Sequence, residues 1–260
     1  MNAPTLSIVV TVYNEEGNIQ PLIDAITTAL KGFEYEMIYV DDGSRDNTLK
    51  ELRSIPHPRL RVVELAKNYG QSLALMAGID TAKGQYIVTM DGDLQNDPAD
   101  IPAMLQLAQT GDWDMVAGIR ANRQDGALLR KIPSGIANYI IRQTSGIKMT
   151  DYACTLKVFK SDLAKSIGLY GELHRFIPVL VSLEGARVTQ LDVRHHPRVH
   201  GTSKYGLSRT FKVISDLLLM LFFKKYMQKP MHLFGNLGIL TFIVGALINL
   251  YLAGLKIAGH

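Results

Sequence analysis

Two carboxylates spaced by one residue close an apolar run in Tyr86-Ile-Val-Thr-Met-Asp91-Gly-Asp93-Leu-Gln95. At the end of a strand, Asp91 and Asp93 can face one divalent cation, with Gln95 as a further oxygen ligand. Hard cations such as Mg²⁺ or Mn²⁺ prefer oxygen and typically bridge a substrate's phosphates. Asp-Gly-Asp is also ordinary turn chemistry, so the triplet draws its meaning from its surroundings. A second acidic cluster, Asp41-Asp42-Gly43-Ser44, closes another apolar run, and a carboxylate there can accept a nucleobase N–H. Tyr13-Asn14-Glu15 closes a third. Later in the chain Arg194, Arg198, Ser203 and Lys204 form a basic stretch able to offset phosphate charge.

The elements that must hold these residues alternate. Apolar runs at 6–12, 35–40, 60–65, 86–90 and 115–119 read as strands. Amphipathic stretches at 18–30, 46–54, 71–82 and 99–110 read as helices. This is the pattern of β/α units around a mostly parallel sheet. In such a sheet ligands bind at the carboxyl ends of the strands, so the three polar clusters are expected to converge on one site.

Beyond Arg120 the sequence turns basic and amphipathic. Residues 128–144 and 206–227 read as interfacial helices lying in a headgroup plane, although two helices packed on the sheet would show the same periodicity. Residues 233–255 carry no charge over 23 positions, enough to cross a hydrocarbon core. Lys224, Lys225 and Lys229 precede that stretch and only Lys256 follows, which puts the large N-terminal part in the cytoplasm. The expected organisation is a catalytic domain over 1–205, a juxtamembrane interfacial helix over 206–229 and a membrane segment over 230–260. That segment is either a single anchor or the first of several spans. The first eleven residues lack a cationic start and a cleavage site and read as a strand rather than a signal peptide.

Composition removes several classes. The chain has 260 residues, 47% of them hydrophobic and 20% charged, which excludes disorder. A net charge of +4 is far short of a nucleic-acid-binding tail, so no nucleic acid partner is expected. The single cysteine, Cys154, cannot form an intrachain disulfide and reads as a small buried hydrophobe. His195 and His196 are adjacent on a strand, point to opposite faces and suit a Mg²⁺ phosphate site poorly.

Taken in order, Ser7-Ile-Val-Val-Thr-Val-Tyr13-Asn14-Glu15, Val40-Asp41-Asp42-Gly43-Ser44 and Asp91-Gly-Asp93-Leu-Gln95 resemble the inverting glycosyltransferases of family 2, which have the GT-A fold. Asp151-Tyr-Ala-Cys-Thr-Leu-Lys157 and His200-Gly-Thr-Ser203-Lys204-Tyr205 narrow the resemblance to the polyprenyl-phosphate glycosyltransferases. The resemblance implies a nucleotide-sugar donor and an undecaprenyl or dolichyl phosphate acceptor; for the donor base we expect UDP over GDP. It also implies Mg²⁺ or Mn²⁺ and a single inverting displacement at the cytoplasmic face of the inner membrane. Carried over by position, Thr11, Tyr13, Glu15, Val40, Asp42 and Asp91 hold the nucleotide, and Asp91, Asp93 and Gln95 the metal. Arg120 falls near a phosphate contact. Arg194, Arg198, Ser203 and Lys204 match the stretch associated with lipid phosphate and donor diphosphate. Many relatives have Pro where Thr11 stands, and D-F-R or a similar triplet where Thr155-Leu156-Lys157 stands.

The acceptor chemistry is self-consistent. A phosphate monoester is largely dianionic at neutral pH and needs positioning and charge compensation rather than a strong base. Arg194, Arg198 and Lys204 can offset repulsion between the two phosphates, or can simply attract anionic headgroups. For Asp151 a turn or helix cap and a role at the acceptor end are both open. Other classes fit less well. A phosphohydrolase of the haloacid dehalogenase type expects Thr or Val where Gln95 stands. Neither G-x-G-x-x-G nor a P-loop occurs. A processive polysaccharide synthase needs Q-x-x-R-W, and Trp113 is the sole tryptophan. A non-catalytic nucleotide-binding membrane protein remains an alternative that a lipid product would exclude.

Overall fold

In the computed structural model, residues 4–120, 149–152, 154–197, 222, 226 and 229–257 are described. The chain forms two units, Met1–Val213 and Ile214–His260.

The first unit is built on seven strands among the described residues. They are β1 (Leu6–Val12), β2 (Tyr35–Asp41), β3 (Leu60–Glu64), β4 (Tyr86–Asp91), β5 (Met115–Arg120), β6 (Lys157–Lys160) and β7 (Val188–Val193). The helices are α1 (Ile19–Ala29), α2 (Thr48–Ser54), α3 (Gln71–Thr81), α4 (Ile101–Thr110), α5 (Ser161–Ser166) and α6 (Ile177–Leu183). Strand order is β3-β2-β1-β4-β6-β5-β7, and only β6 runs antiparallel to its neighbours. The sheet is therefore mostly parallel with helices on both faces, a GT-A-like α/β fold. β1, β2 and β4 are buried on both faces, which is why they are nearly continuous runs of Val, Ile and Met.

The two faces are easily told apart. Ile8, Val10, Val12, Met37, Val88 and Met90 pack in one core with α1 and α4. In α1 that core takes Ile19, Leu22, Ile23 and Ile26, one stripe of a 3.6-residue period. The alternate residues face α3, where a Cβ on Gly78 would sit 2.3 Å from Val9 Cγ1. Glycine there lets helix and sheet approach, so that α3 begins beside the carboxyl edge.

The register aligns that edge. Thr11 stands opposite Val40 on one side and Asp91 on the other, and Val12 opposite Asp41. Two strands escape the periodicity of the sequence. β6 is only four residues bounded by lysines, and β7 is a partly exposed edge strand with polar Thr189, Gln190 and Asp192. Because β6 is antiparallel, its beginning rather than its end reaches the carboxyl edge, which brings Thr155 and Lys157 beside Thr89 and Asp91.

In the second unit, α7 (Met231–Ile257) is a 27-residue apolar helix with mean hydropathy 2.0 over its best window and no buried residue. It is two residues longer at each end than the expected 233–255. At 1.5 Å per residue it is roughly 40 Å long, enough to cross a membrane. Its polar side chains bond back to their own helix: Thr241 Oγ1 donates to Leu237 O at 3.0 Å and Asn249 Nδ2 to Gly245 O at 2.8 Å. Such pairing suits a helix whose surroundings offer no partner. Both expected interfacial helices, at 128–144 and 206–227, fall largely or wholly outside the described residues.

Candidate active site

Three loops meet at the carboxyl edge, and hydrogen bonds sew the first two together. Asn14, at φ 53, donates its N–H to Ser44 Oγ at 3.0 Å and accepts Arg45 N–H on Oδ1 at 2.8 Å. Glu15 N–H reaches Thr48 Oγ1 at 2.8 Å, while its carboxylate accepts Asn18 Nδ2 at 2.7 Å. Gly43 has φ +69, and a Cβ there would lie 2.6 Å from the Lys67 carbonyl carbon, so only glycine fits this turn.

Asp42 is 4% exposed, and both of its oxygens are engaged by the loop before α3. Oδ1 accepts Tyr69 N–H at 2.7 Å and Oδ2 accepts Gly70 N–H at 2.9 Å. Burial pushes its carboxyl up, and those two bonds oppose the shift. The carboxylate expected to receive a nucleobase N–H thus anchors a loop in this structure. Asp42→Ala should orphan two loop donors, costing about 2 kcal/mol. The melting temperature should fall by roughly 4–8 °C, measured by calorimetry, and the donor KM should rise more than kcat falls. An unchanged melting temperature would refute the anchoring role. Val40 is fully buried, so it can offer a ligand no side-chain contact. Thr11 and Tyr13 are partly exposed at the edge.

The third loop carries the paired carboxylates. Asp91 Oδ1 accepts Gln71 Nε2 at 2.6 Å, and the Thr155 hydroxyl also bonds this carboxyl. Removal from water, then the neighbouring charge of Asp93, push Asp91 up to about 7. Asp93 is 5% exposed and accepts Gln95 N–H on Oδ1 at 3.2 Å, an Asx-type turn completed by Leu94 at φ 62. Gly92 is compelled here too, since a Cβ would stand 2.5 Å from Val12 Cγ1.

Like charges this close fit a divalent cation, which would relieve their repulsion. Among the described residues no third His, Cys, Asp or Glu joins them. That suits a cation that takes its remaining ligands from water and phosphate. Gln95 uses Nε2 on His196 O at 3.5 Å, so its carbonyl oxygen is the atom it can offer.

The segment after β7 docks on this loop. Asn96 bridges His195, and His196 N–H donates to Gln95 O at 2.9 Å. Arg194, expected at a phosphate, is forked onto Asp100 through Nε at 2.9 Å and Nη2 at 2.7 Å, with Asp97 at 3.3 Å. Its side chain is 55% exposed and acts as a clasp between β7 and the turn before α4. Arg120 likewise has a partner: Nε meets Asp151 Oδ2 at 2.7 Å and Nη2 meets Oδ1 at 3.0 Å, the two side chains being 13% and 14% exposed. Asp151, left open between a turn and an acceptor role, is the counterion of Arg120. Arg198, Ser203 and Lys204 lie outside the described residues.

Gln71 is a polar contributor that motif reading missed, and Lys157, which closes the Asp151–Lys157 motif, was given no role there. The signal was present for Lys157, a charge inside the apolar run Leu156-Lys-Val-Phe159. Burial pulls its ammonium pKa down. Gln71 stands at the start of α3, where sequence alone points it nowhere in particular.

Comparison with known proteins agrees with this geometry. The model of a family described as "Glycosyl transferase family 2" matches residues 7–168. A dodecaprenyl-phosphate galacturonate synthase of Rhizobium johnstonii is 47% identical over 254 residues, covering 95% of this chain and 75% of the relative. An undecaprenyl-phosphate 4-deoxy-4-formamido-L-arabinose transferase of Pectobacterium atrosepticum is 36% identical, covering 97% and 76%. Among solved structures, glucosyl-3-phosphoglycerate synthase of Mycobacterium tuberculosis with Mn²⁺, UDP-glucose and glycerol 3-phosphate superposes with TM-score 0.66. It is 18% identical, covers 85% of this chain and 80% of that one, and so speaks to fold alone. A mannosyltransferase of Pyrobaculum calidifontis with GDP-Man and Mn²⁺ gives TM-score 0.60 at 20% identity, covering 86% and 64%. With the acidic loops at the carboxyl edge of a mostly parallel sheet, and relatives this similar over nearly its whole length, the chain belongs to glycosyl transferase family 2.

Proposed function

We propose that the protein transfers one sugar from a nucleoside diphosphate donor to a polyprenyl phosphate, undecaprenyl or dolichyl, with inversion at the cytoplasmic face of the inner membrane. The observation that carries this reading is the paired carboxylates Asp91 and Asp93 beside Thr11 at the carboxyl edge. Relatives named for polyprenyl-phosphate products lend it support. Asp91, Asp93 and the Gln95 carbonyl would hold Mg²⁺ or Mn²⁺, which when bound neutralises a diphosphate leaving group. The chain's own residues do the rest. Thr11, Tyr13 and the stitched loops around Glu15 and Asp42 form the nucleotide ledge, and we take UDP over GDP as donor base. Gln71 and Thr155 orient the Asp91 carboxyl. Arg120, Arg198, Ser203 and Lys204 remain our candidates for phosphate contacts, whereas Arg194 serves as a positioning clasp.

Membrane residence follows from α7, with Lys224, Lys225 and Lys229 before it and Lys256 after, and from a juxtamembrane segment over 206–229. The test is mass spectrometry of the lipid after incubating the purified protein with undecaprenyl phosphate, a panel of nucleotide sugars and Mg²⁺ or Mn²⁺. A mass increase of one sugar is expected. Release of inorganic phosphate without a lipid product would favour a phosphohydrolase, and neither product would leave a nucleotide-binding protein.

Lys204→Ala should cut turnover ten-fold or more in detergent with saturating short-chain polyprenyl phosphate, the loss of a charge-assisted contact worth roughly 1.5 to 3 kcal/mol. Lys225→Ala should change it little. Equal small effects from both would reduce Lys204 to headgroup attraction.

A further inference from the structure

A small recess lies beside Asp91 on the α3 face of the sheet, with Gln71, Thr89, Thr155, Lys157 and His174 in its wall. The transfer chemistry accounts for Asp91 but not for Lys157. This lysine is 2% exposed, and among the described residues its ammonium has one hydrogen-bond partner, the carbonyl oxygen of Cys154. A buried ammonium carries three N–H donors and is costly to leave with a single neutral acceptor. The nearby carboxylates are otherwise employed. Asp151 is forked onto Arg120, and Asp91 takes Gln71 and Thr155 while sharing the cation position with Asp93. His174 is held at the wall by Ser72 Oγ, 2.9 Å from Nδ1. The recess thus adjoins the paired carboxylates and, among the described residues, has a built-in cation with one neutral acceptor.

We infer that this recess receives a carboxylate carried on the donor's sugar, making the donor a nucleoside diphosphate uronate, with Lys157 as the residue that selects it. The inference deepens the sugar-transfer reading above and rests on it. A uronate differs from its parent hexose by a carboxylate in place of the primary alcohol, and only the carboxylate can pair with the buried ammonium. A neutral hexose would leave the Lys157 donors unsatisfied, the situation in which a site built for a polar group rejects the analogue that lacks it. One relative's name specifies galacturonate, which has such a carboxylate, and another's specifies a formamido-arabinose, which has none.

The experiment compares UDP-galacturonate with UDP-galactose, using the full chain in detergent with Mn²⁺. Affinity is read by calorimetry and lipid product by mass spectrometry. UDP-galacturonate should bind at least 30-fold more tightly. Lys157→Met should weaken UDP-galacturonate ten-fold or more and leave UDP-galactose within three-fold, while Lys157→Arg should keep the preference. Equal affinity for the two donors, no binding of UDP-galacturonate, or parallel weakening of both by Lys157→Met would overturn the inference. Should Lys157→Met fail to fold, the comparison of donors in the unmodified protein and in Lys157→Arg decides alone. Preferential binding of UDP-galacturonate with no lipid product would sink the transfer reading and leave the carboxylate recess standing. Galactose appearing on lipid as readily as galacturonate would do the reverse.

Discussion

Asp93→Asn is expected to lower sugar transfer by roughly 1,000-fold, equivalent to about 4 kcal/mol of lost transition-state stabilisation, with little change in folding. The asparagine side chain keeps an oxygen for the Gln95 N–H, a hydrogen bond that shapes the turn. What it loses is the second of the two negative charges proposed to face a divalent cation. It also removes the charge that, after burial, holds Asp91 near 7, so the variant's Asp91 should titrate lower. Three measurements check this: turnover with saturating Mg²⁺ or Mn²⁺, Mn²⁺ affinity by electron paramagnetic resonance with UDP present, and the melting temperature. Weakened Mn²⁺ binding with an unchanged melt is the expected pair. Near-normal turnover at high metal would remove Asp93 from the metal site.

The second large effect concerns stability. Arg120→Met should cost about 3 kcal/mol, because it leaves the Asp151 carboxylate largely buried without its forked partner. For a domain of this size the melting temperature should fall by roughly 6–12 °C. Replacing both, Arg120→Met with Asp151→Leu, should restore most of the loss, since the penalty belongs to a buried carboxylate that has lost its guanidinium rather than to the missing pair. Turnover separates the two roles of Arg120. If the guanidinium also touches a phosphate, the double variant regains its melt but not its activity. If it is only a strut, both return together. A single variant that melts like the parent would show that Asp151 finds water or another donor.

These expectations rest on contacts of very different legibility. Strands β1 to β5 and helices α1 to α4 could be read within one or two residues of their observed ends, because burial on a sheet or one helix face imprints a period on the local sequence. The apolar helix α7 was equally plain, since 23 uncharged residues leave few alternatives. Convergence of Tyr13, Asp42 and Asp91 at one edge followed from parallel topology, which places every such loop on the same side. β6 and β7 were invisible. The first is too short to show a period, and the second lies at a half-exposed edge where polar and apolar residues mix.

Sequence by itself determined which loops hold the acidic residues, because the apolar runs deliver each loop to the edge. Why glycine follows Asp42 and Asp91 came from the fold, since a Cβ there would meet Lys67 and Val12 respectively. Only the tertiary structure decided what the charged groups do there. Asp42 reaches the Tyr69 and Gly70 amides, Arg120 reaches Asp151, and Arg194 reaches Asp100, 94 positions away in the chain. It also slid an antiparallel strand between β4 and β5, which set Thr155 and Lys157 beside Asp91. A hydrogen-bond partner is chosen by strand register and helix packing across long separations, whereas periodicity reports only whether a position faces water. A carboxylate in a motif therefore announces its chemistry, while the residue that claims its oxygens is known only once the chain has folded.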